Sequence, residues 1–228
     1  MNKLILTLFL LLSQFAYSQN WKFEKPDYTK IEKNIQNKES NLFYDTLMKR
    51  FLKADSTMTL QEKRHLYYGY IFHKDYSPYS NSDYSDSLNT ILEKQKSLEK
   101  VETNTIIDLT NKILSETPFD LNAFVYQLYA LDKNKNKQAF KKRVTQMRII
   151  IDALMSSGNG INEKQAFYVI YTSHEYNLLK VLGFKFGGTQ SLIKHFDYLT
   201  LAENDSQLEG LYFDVSPCLN YLSKKFKD

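Results

Sequence analysis

The feature that most constrains the fold of this chain is a change of apolar rhythm near residue 158. From Trp21 to about Ser156 apolar side chains recur with the helical period. After Gly160 they gather into short runs of β-branched and aromatic residues. Helices first and strands later is the pattern of an α+β fold, here N-terminal helical hairpins followed by a small antiparallel sheet and a C-terminal helix. The reading is a single α+β domain over 19–228, helical over about 21–157 and strand-rich over about 161–228.

Local signals agree with that division. Phe43, Leu47 and Phe51 repeat every four residues, and Thr59-Leu60-Gln61-Glu62 is a capping box that opens a helix running through Tyr67, Tyr70 and Ile71. Ile106, Leu109, Ile113 and Leu114 form another stripe. Pro118 and Asp120 then punctuate before Leu121, Phe124, Val125 and Leu128. Lys133–Lys137 is a polar turn, and Phe140, Val144, Met147, Ile151 and Leu154 line a long helix that stops at Ser156-Ser157-Gly158. The span from Pro118 to Asp152 reads as one tetratricopeptide-like hairpin. No second copy of the repeat accompanies it, so a solenoid is not expected. Phe167–Thr172, Phe196–Leu201 and Leu211–Val215 read as strands, with Gly187-Gly188 and Asn204-Asp205-Ser206 as turns. Glu175–Gly183 fits a short helix capped by Gly183 or a strand equally well. Ser216 is expected to cap a last helix ending in lysines.

The first 18 residues read as an export signal. Lys3 precedes the apolar run Leu4–Leu12, and Ala16-Tyr17-Ser18 places small residues where a signal peptidase requires them. The run is shorter than the roughly 20 residues that span a bilayer. The expected mature chain starts at Gln19, exported to the periplasm or beyond, with no membrane insertion after cleavage. The whole chain has 30 Lys+Arg against 26 Asp+Glu, a net charge of +4 that falls to +3 once Lys3 is removed. So balanced a charge gives no reason to expect a nucleic-acid partner. Cys218 is the only cysteine, so no internal disulfide is available and stability rests on core packing. Cys218 itself reads as a buried small hydrophobe.

Candidate chemistry is sparse. Asp132-Lys133-Asn134-Lys135-Asn136 has the rhythm of a calcium loop, but Lys137 stands where the sharp glycine turn is needed and Arg143 where the bidentate glutamate belongs. A solvated turn is the expectation. Ser157-Gly158-Asn159-Gly160 follows a helix rather than preceding one, which places it at the partly negative end and argues for a stop rather than a phosphate cradle. The four histidines, His65, His73, His174 and His195, form no zinc motif, and no G-x-S-x-G elbow occurs. No catalytic, cofactor-binding or metal-binding residue is assigned, and no cofactor is expected.

The segment Tyr67–Tyr79 holds most of what remains, a dense row of aromatic rings. Tyrosine offers a flat apolar body with a polar tip, suited to glycans or extended peptides. Tyr68, His73, Tyr76 and Tyr79 are therefore the candidate binding surface. The competing reading turns Tyr67, Tyr70 and Ile71 into the core and uses Tyr76 and Tyr79 to pin the following loop. Gly69 among bulky neighbours implies a close backbone approach from a helix or a ligand.

These same stretches carry a resemblance. LYYGYIFHKDYSPY (66–79), PFDLNAF (118–124), SSGNGINEKQAFYVI (156–170), EYNLLKVLGF (175–184), QSL (190–192), DYLTL (197–201) and GLYFDVS (210–216) occur in order. The chain resembles, from about Asp27 to Phe226, a family of exported bacterial proteins known as domain of unknown function 4919. The resemblance implies an exported helix-then-strand domain and no particular activity. His73 stands where the resemblance leads one to expect glutamine, which argues against a necessary histidine there.

The function expected from the sequence is a soluble, exported, non-catalytic binding protein associated with the envelope, its partner a protein, a peptide or an envelope glycan. The rival is an enzyme or small-ligand carrier with a pocket between helices and sheet, for which His174, Glu175, Tyr176, His195 and Asp197 are the residues to inspect. The leader makes one direct prediction: the intact mass of the native product should correspond to a chain beginning at Gln19.

Overall fold

A computed structural model describes residues 22–80, 82–95 and 102–225; the proposed leader, Trp21 and Phe226 lie outside them. The described helices are α1 (Tyr28–Gln36), α2 (Tyr44–Leu52), α3 (Leu60–Gly69), α4 (Asp83–Gln95), α5 (Thr103–Glu116), α6 (Leu121–Lys133), α7 (Lys137–Met155), α8 (Ser173–Val181) and α9 (Ser216–Lys225). Four strands, β1 (Phe167–Tyr168), β2 (Phe186–Ile193), β3 (Phe196–Leu201) and β4 (Gly210–Asp214), make one sheet in the order β1-β4-β3-β2. The α+β class is as expected.

The local signals act as their chemistry dictates. Thr59 and Glu62 satisfy each other's backbone N–H in a reciprocal cap at the start of α3. Asp120 and Asn136 cap α6 and α7 by accepting from Ala123 and Ala139. The second of these caps uses up the supposed calcium loop, and among the described residues no metal-holding cluster occurs. Glu175–Gly183 resolves as helix α8, with Gly183 at φ +82° just past its end. Gly69 is approached by a helix: a Cβ there would lie 3.1 Å from Ile35 of α1. At the last helix the cap is Asp214, whose carboxylate accepts from the Ser216 backbone and hydroxyl, rather than Ser216 itself.

Three sheet expectations need correction. The sheet is mixed, because β1 runs parallel to its neighbour β4 while β3 runs antiparallel to both β4 and β2. Gly187-Gly188 is not a turn; both lie inside β2, where the pairing with β3 shifts register between Phe186 and Gln190. The run Phe167–Thr172 keeps only two residues of strand, followed by irregular chain.

That irregular chain is buried, so its backbone polar groups need partners other than a ladder. Tyrosines supply them. The Tyr76 hydroxyl donates to the Ile170 carbonyl at 2.8 Å, and the Ile170 N–H donates to the Tyr67 oxygen at 3.3 Å. The Tyr68 hydroxyl lies 3.3 Å from the Tyr168 carbonyl and 3.2 Å from that of Ala153 in α7. Tyr67, Tyr68 and Tyr76 are all buried. One apolar cluster runs from Ile31 through these rings to Val215, joining helices and sheet.

At the first residues described the chain is strapped down as well. Arg64 of α3 donates to the Ser156 hydroxyl at 2.7 Å and to the Glu24 carbonyl at 2.7 Å. Lys63 pairs with Asp152 of α7 at 2.7 Å.

Removing one hydroxyl from this set leaves a buried backbone group without a partner, which costs about 1–3 kcal/mol. Tyr76→Phe should lower stability by that amount in urea denaturation. Tyr79→Phe, at an exposed ring, should change it by about 0.5 kcal/mol or less.

Candidate functional site

The tyrosine-rich segment does not present the surface that sequence periodicity suggested. Tyr68 and Tyr76 are 0% and 6% exposed, because their hydroxyls serve the backbone of 168–170. His73 stacks at the rim on Tyr70 and Tyr44, with ring centroids 5.6 and 5.5 Å away, and its Nδ1 lies 3.5 Å from Asp75. Only Tyr79, at 45%, stands open to solvent.

Tyr79 instead forms one wall of a cleft of about 460 Å³. Pro78, Tyr79, Ser80, Ser82 and the start of α4 line one side, and Ile113 and Thr117 at the α5 end line another. Asp120, Asn122 and Tyr126 of the α6 start, with Tyr171–His174 leading into α8, complete it. The cleft therefore lies where the helical layer meets the first turn of α8. Its described lining holds three tyrosine rings, several hydroxyls and two asparagines, a single carboxyl and neither lysine nor arginine. That carboxyl, Asp120, is pushed above its ordinary range by burial, against the opposing backbone hydrogen bonds of its capping role.

Behind this wall a buried relay fixes α8. Tyr67 donates to His174 Nδ1 at 2.7 Å, and His174 Nε2 donates to the Phe119 carbonyl at 2.9 Å. A carbonyl can only accept, so the proton sits on Nε2 and Nδ1 accepts; the ring is neutral. Burial lowers its pKa to about 4, with the Phe119 bond opposing the shift. His174 is thus a structural fastener between α3, α8 and the turn before α6.

The next residue opens a second polar group on the sheet side. Glu175 is fully buried and Asp197 of β3 nearly so. The Gln190 amide of β2 donates to Asp197 at 2.6 Å and reaches Glu175 at 3.4 Å, while the Tyr176 hydroxyl bonds to the Gln190 carbonyl oxygen. Glu175 Oε1 has no described partner. Desolvation first, and then the Asp197 carboxyl, push Glu175 up to about 9. Cys218 is buried nearby and pushed up to about 12, chiefly by desolvation, which leaves it a thiol rather than a nucleophile.

Of the five residues singled out for a pocket, only His174 reaches the cleft. Glu175, Tyr176 and Asp197 converge with Gln190, and His195 turns away to pair with Asp214 at 3.4 Å. Of the cleft residues, Tyr126 and Tyr171 lie in none of the quoted motifs, Tyr171 sitting in a run that reads as strand, while Asn122 lies within PFDLNAF. Gln190 left a signal only in its place within a motif shared with the family.

The sequence profile of a domain of unknown function (DUF4919) matches residues 29–224, nearly the whole chain. The protein belongs to the DUF4919 family. No curated protein and no solved structure matches it.

Two neighbouring buried groups, His174 and Glu175, pull stability in opposite directions with pH. His174 binds its proton more weakly folded than unfolded, so its contribution is present above pH 6.5 and is lost as pH falls to about 4. Glu175 binds its proton more tightly folded, so its contribution is present below pH 4.5 and is lost as pH rises to about 9. Between pH 4.5 and 6.5 the slopes oppose each other. Glu175→Gln should uncover the histidine slope, with stability rising by up to about 3 kcal/mol from pH 4 to 6.5 in urea titrations. His174→Gln should uncover the opposite slope, with stability falling as pH rises.

Proposed function

We propose that this DUF4919 protein is an exported, non-catalytic binding protein whose cleft takes a neutral, hydroxyl-rich ligand such as a sugar unit of an envelope glycan. The cleft lining carries the reading. Tyr79, Tyr126 and Tyr171 offer flat apolar faces, and Ser80, Ser82, Ser85, Thr117, Asn89 and Asn122 offer neutral hydrogen-bonding groups. A lining with no cation gives an anionic ligand nothing to pair with, whereas stacked rings edged by hydroxyls and amides suit a saccharide.

The groups that catalysis would draw on are committed elsewhere. Both ring nitrogens of His174 are hydrogen-bonded, and the Cys218 thiol is buried and protonated. The leader sequence supports export, and no described helix is long and apolar enough to cross a membrane.

Calorimetric titration of the mature chain with neutral oligosaccharides of glucose and N-acetylglucosamine, against sulfated and uronic-acid counterparts, tests the assignment. Binding is expected for the neutral set, and Tyr79→Ala and Tyr126→Ala should each weaken it about tenfold, near 1.4 kcal/mol. Tighter binding of the anionic set, no binding by either, or turnover of a bound sugar would overturn it.

A further inference from the structure

Glu175 of α8 and Asp197 of β3 are joined across the seam between α8 and the β2–β3 hairpin by the Gln190 amide nitrogen, 3.4 Å from the first and 2.6 Å from the second. Both are buried, and no described lysine, arginine or histidine pairs with either. Two carboxylates cannot both keep their charge side by side in such a place without a cation, so one proton must remain on the pair. The groups around it are neutral. From β2 comes the Gln190 amide, and from α8 the Tyr176 hydroxyl. From α9 comes the Cys218 thiol, and from the loop before α4 the Tyr79 phenol. His195 is held by Asp214, and both ring nitrogens of His174 are taken by Tyr67 and the Phe119 carbonyl.

The seam has little else to close it. All eight residues of β2 are exposed, and an edge-on contact of Tyr176 with Phe186 at 5.3 Å is the ring contact across it. On its other side α8 is anchored to the helical layer by His174 and by Asn177, which donates to Asn122 at 2.8 Å. The buried, partnerless Oε1 of Glu175 is an atom that water would claim if the seam parted.

We propose that one proton shared by Glu175 and Asp197 closes the seam between α8 and the β2–β3 hairpin, and that losing this proton opens it. Closed, a protonated carboxyl donates across the seam while the Gln190 amide bridges both groups. Open, two carboxylates repel and hydrate. Because opening returns Glu175 to its ordinary affinity for protons, the open fraction should rise with pH between about 4.5 and 9, by up to tenfold per pH unit. The seam does not depend on what the cleft binds, and the test uses the unliganded protein.

Hydrogen exchange of the amides of Leu178–Val181 and Gln190–Ile193, corrected for the intrinsic pH dependence of exchange, reads the opening directly. In the native protein the corrected rates should climb from pH 5 to 9, while amides of α5 and α6 stay level. Glu175→Gln, neutral at every pH and still able to donate to Asp197, should make the profile flat. Asp197→Asn removes the like charge that raises Glu175, so the climb should level off at lower pH and be smaller in total, which serves if the first variant folds poorly. A flat native profile, or an unchanged slope in Glu175→Gln, would refute the proposal.

Discussion

Three tyrosine hydroxyls meeting one stretch of backbone hold the two halves of this protein together. Residues 168–170 end the two-residue strand β1 and pass into the interior, where each N–H and C=O would cost about 1–3 kcal/mol unmatched. Tyr67 and Tyr68 of α3 and Tyr76 of the following loop meet them. Phenylalanine would fill the same volume but leave the backbone unsatisfied. The hydroxyls also fix the depth and orientation of this chain against α3, and therefore the point at which α8 begins.

The placement of α8 decides the rest. Its second residue, His174, joins Tyr67 to Phe119 and so ties the helix to the layer formed by α3, α5 and α6. Its third residue, Glu175, faces the opposite way, toward Asp197 and Gln190 of the sheet. Adjacent residues on a helix project about 100° apart, so one short helix addresses both layers. The cleft is the space this arrangement leaves at the α8 start, where the tyrosine-lined loop and the α6 cap cannot close on each other.

Much of the fold was legible because it is written in local chemistry. The Thr59 box, the break at Pro118 and Asp120, the polar turn over 133–137 and the apolar stripes are local signals, and each appears where the residues say. What was illegible depends on distant partners. Phe167–Thr172 has the composition of a strand, yet its last bond to β4 is made by Val169 N–H, and Ile170 turns instead to the Tyr67 oxygen about 100 positions earlier in the chain. Gly187-Gly188 has the composition of a turn, yet it serves a register shift within a strand. The tyrosine row itself is ambiguous from sequence, because a ring with a polar tip satisfies a binding surface and a buried carbonyl equally well; only the location of residues 168–170 separates them. The candidate site followed the same division. Tyr79 was marked, while Tyr126 and Tyr171 became neighbours of it only through the packing of α6 and α8.

The buried polar groups also explain why a chain with one cysteine can do without a disulfide. A cross-link stabilises mainly by restricting the unfolded chain. Here the ends of long loops are instead fixed by interior hydrogen bonds spanning about 100 residues, from Tyr67 to His174 and from Tyr68 to Tyr168. Each bond is individually modest, but each becomes costly to break singly because its partner is stranded in the core. Such a set favours an all-or-none native state without raising its total stability greatly. It also concentrates sensitivity to pH in the two titratable residues that α8 carries into the interior, one neutral base and one neutral acid side by side. Neither is at the surface, where solvent would blunt its effect. The protein therefore carries this pH response at the junction of its two layers, next to the cleft.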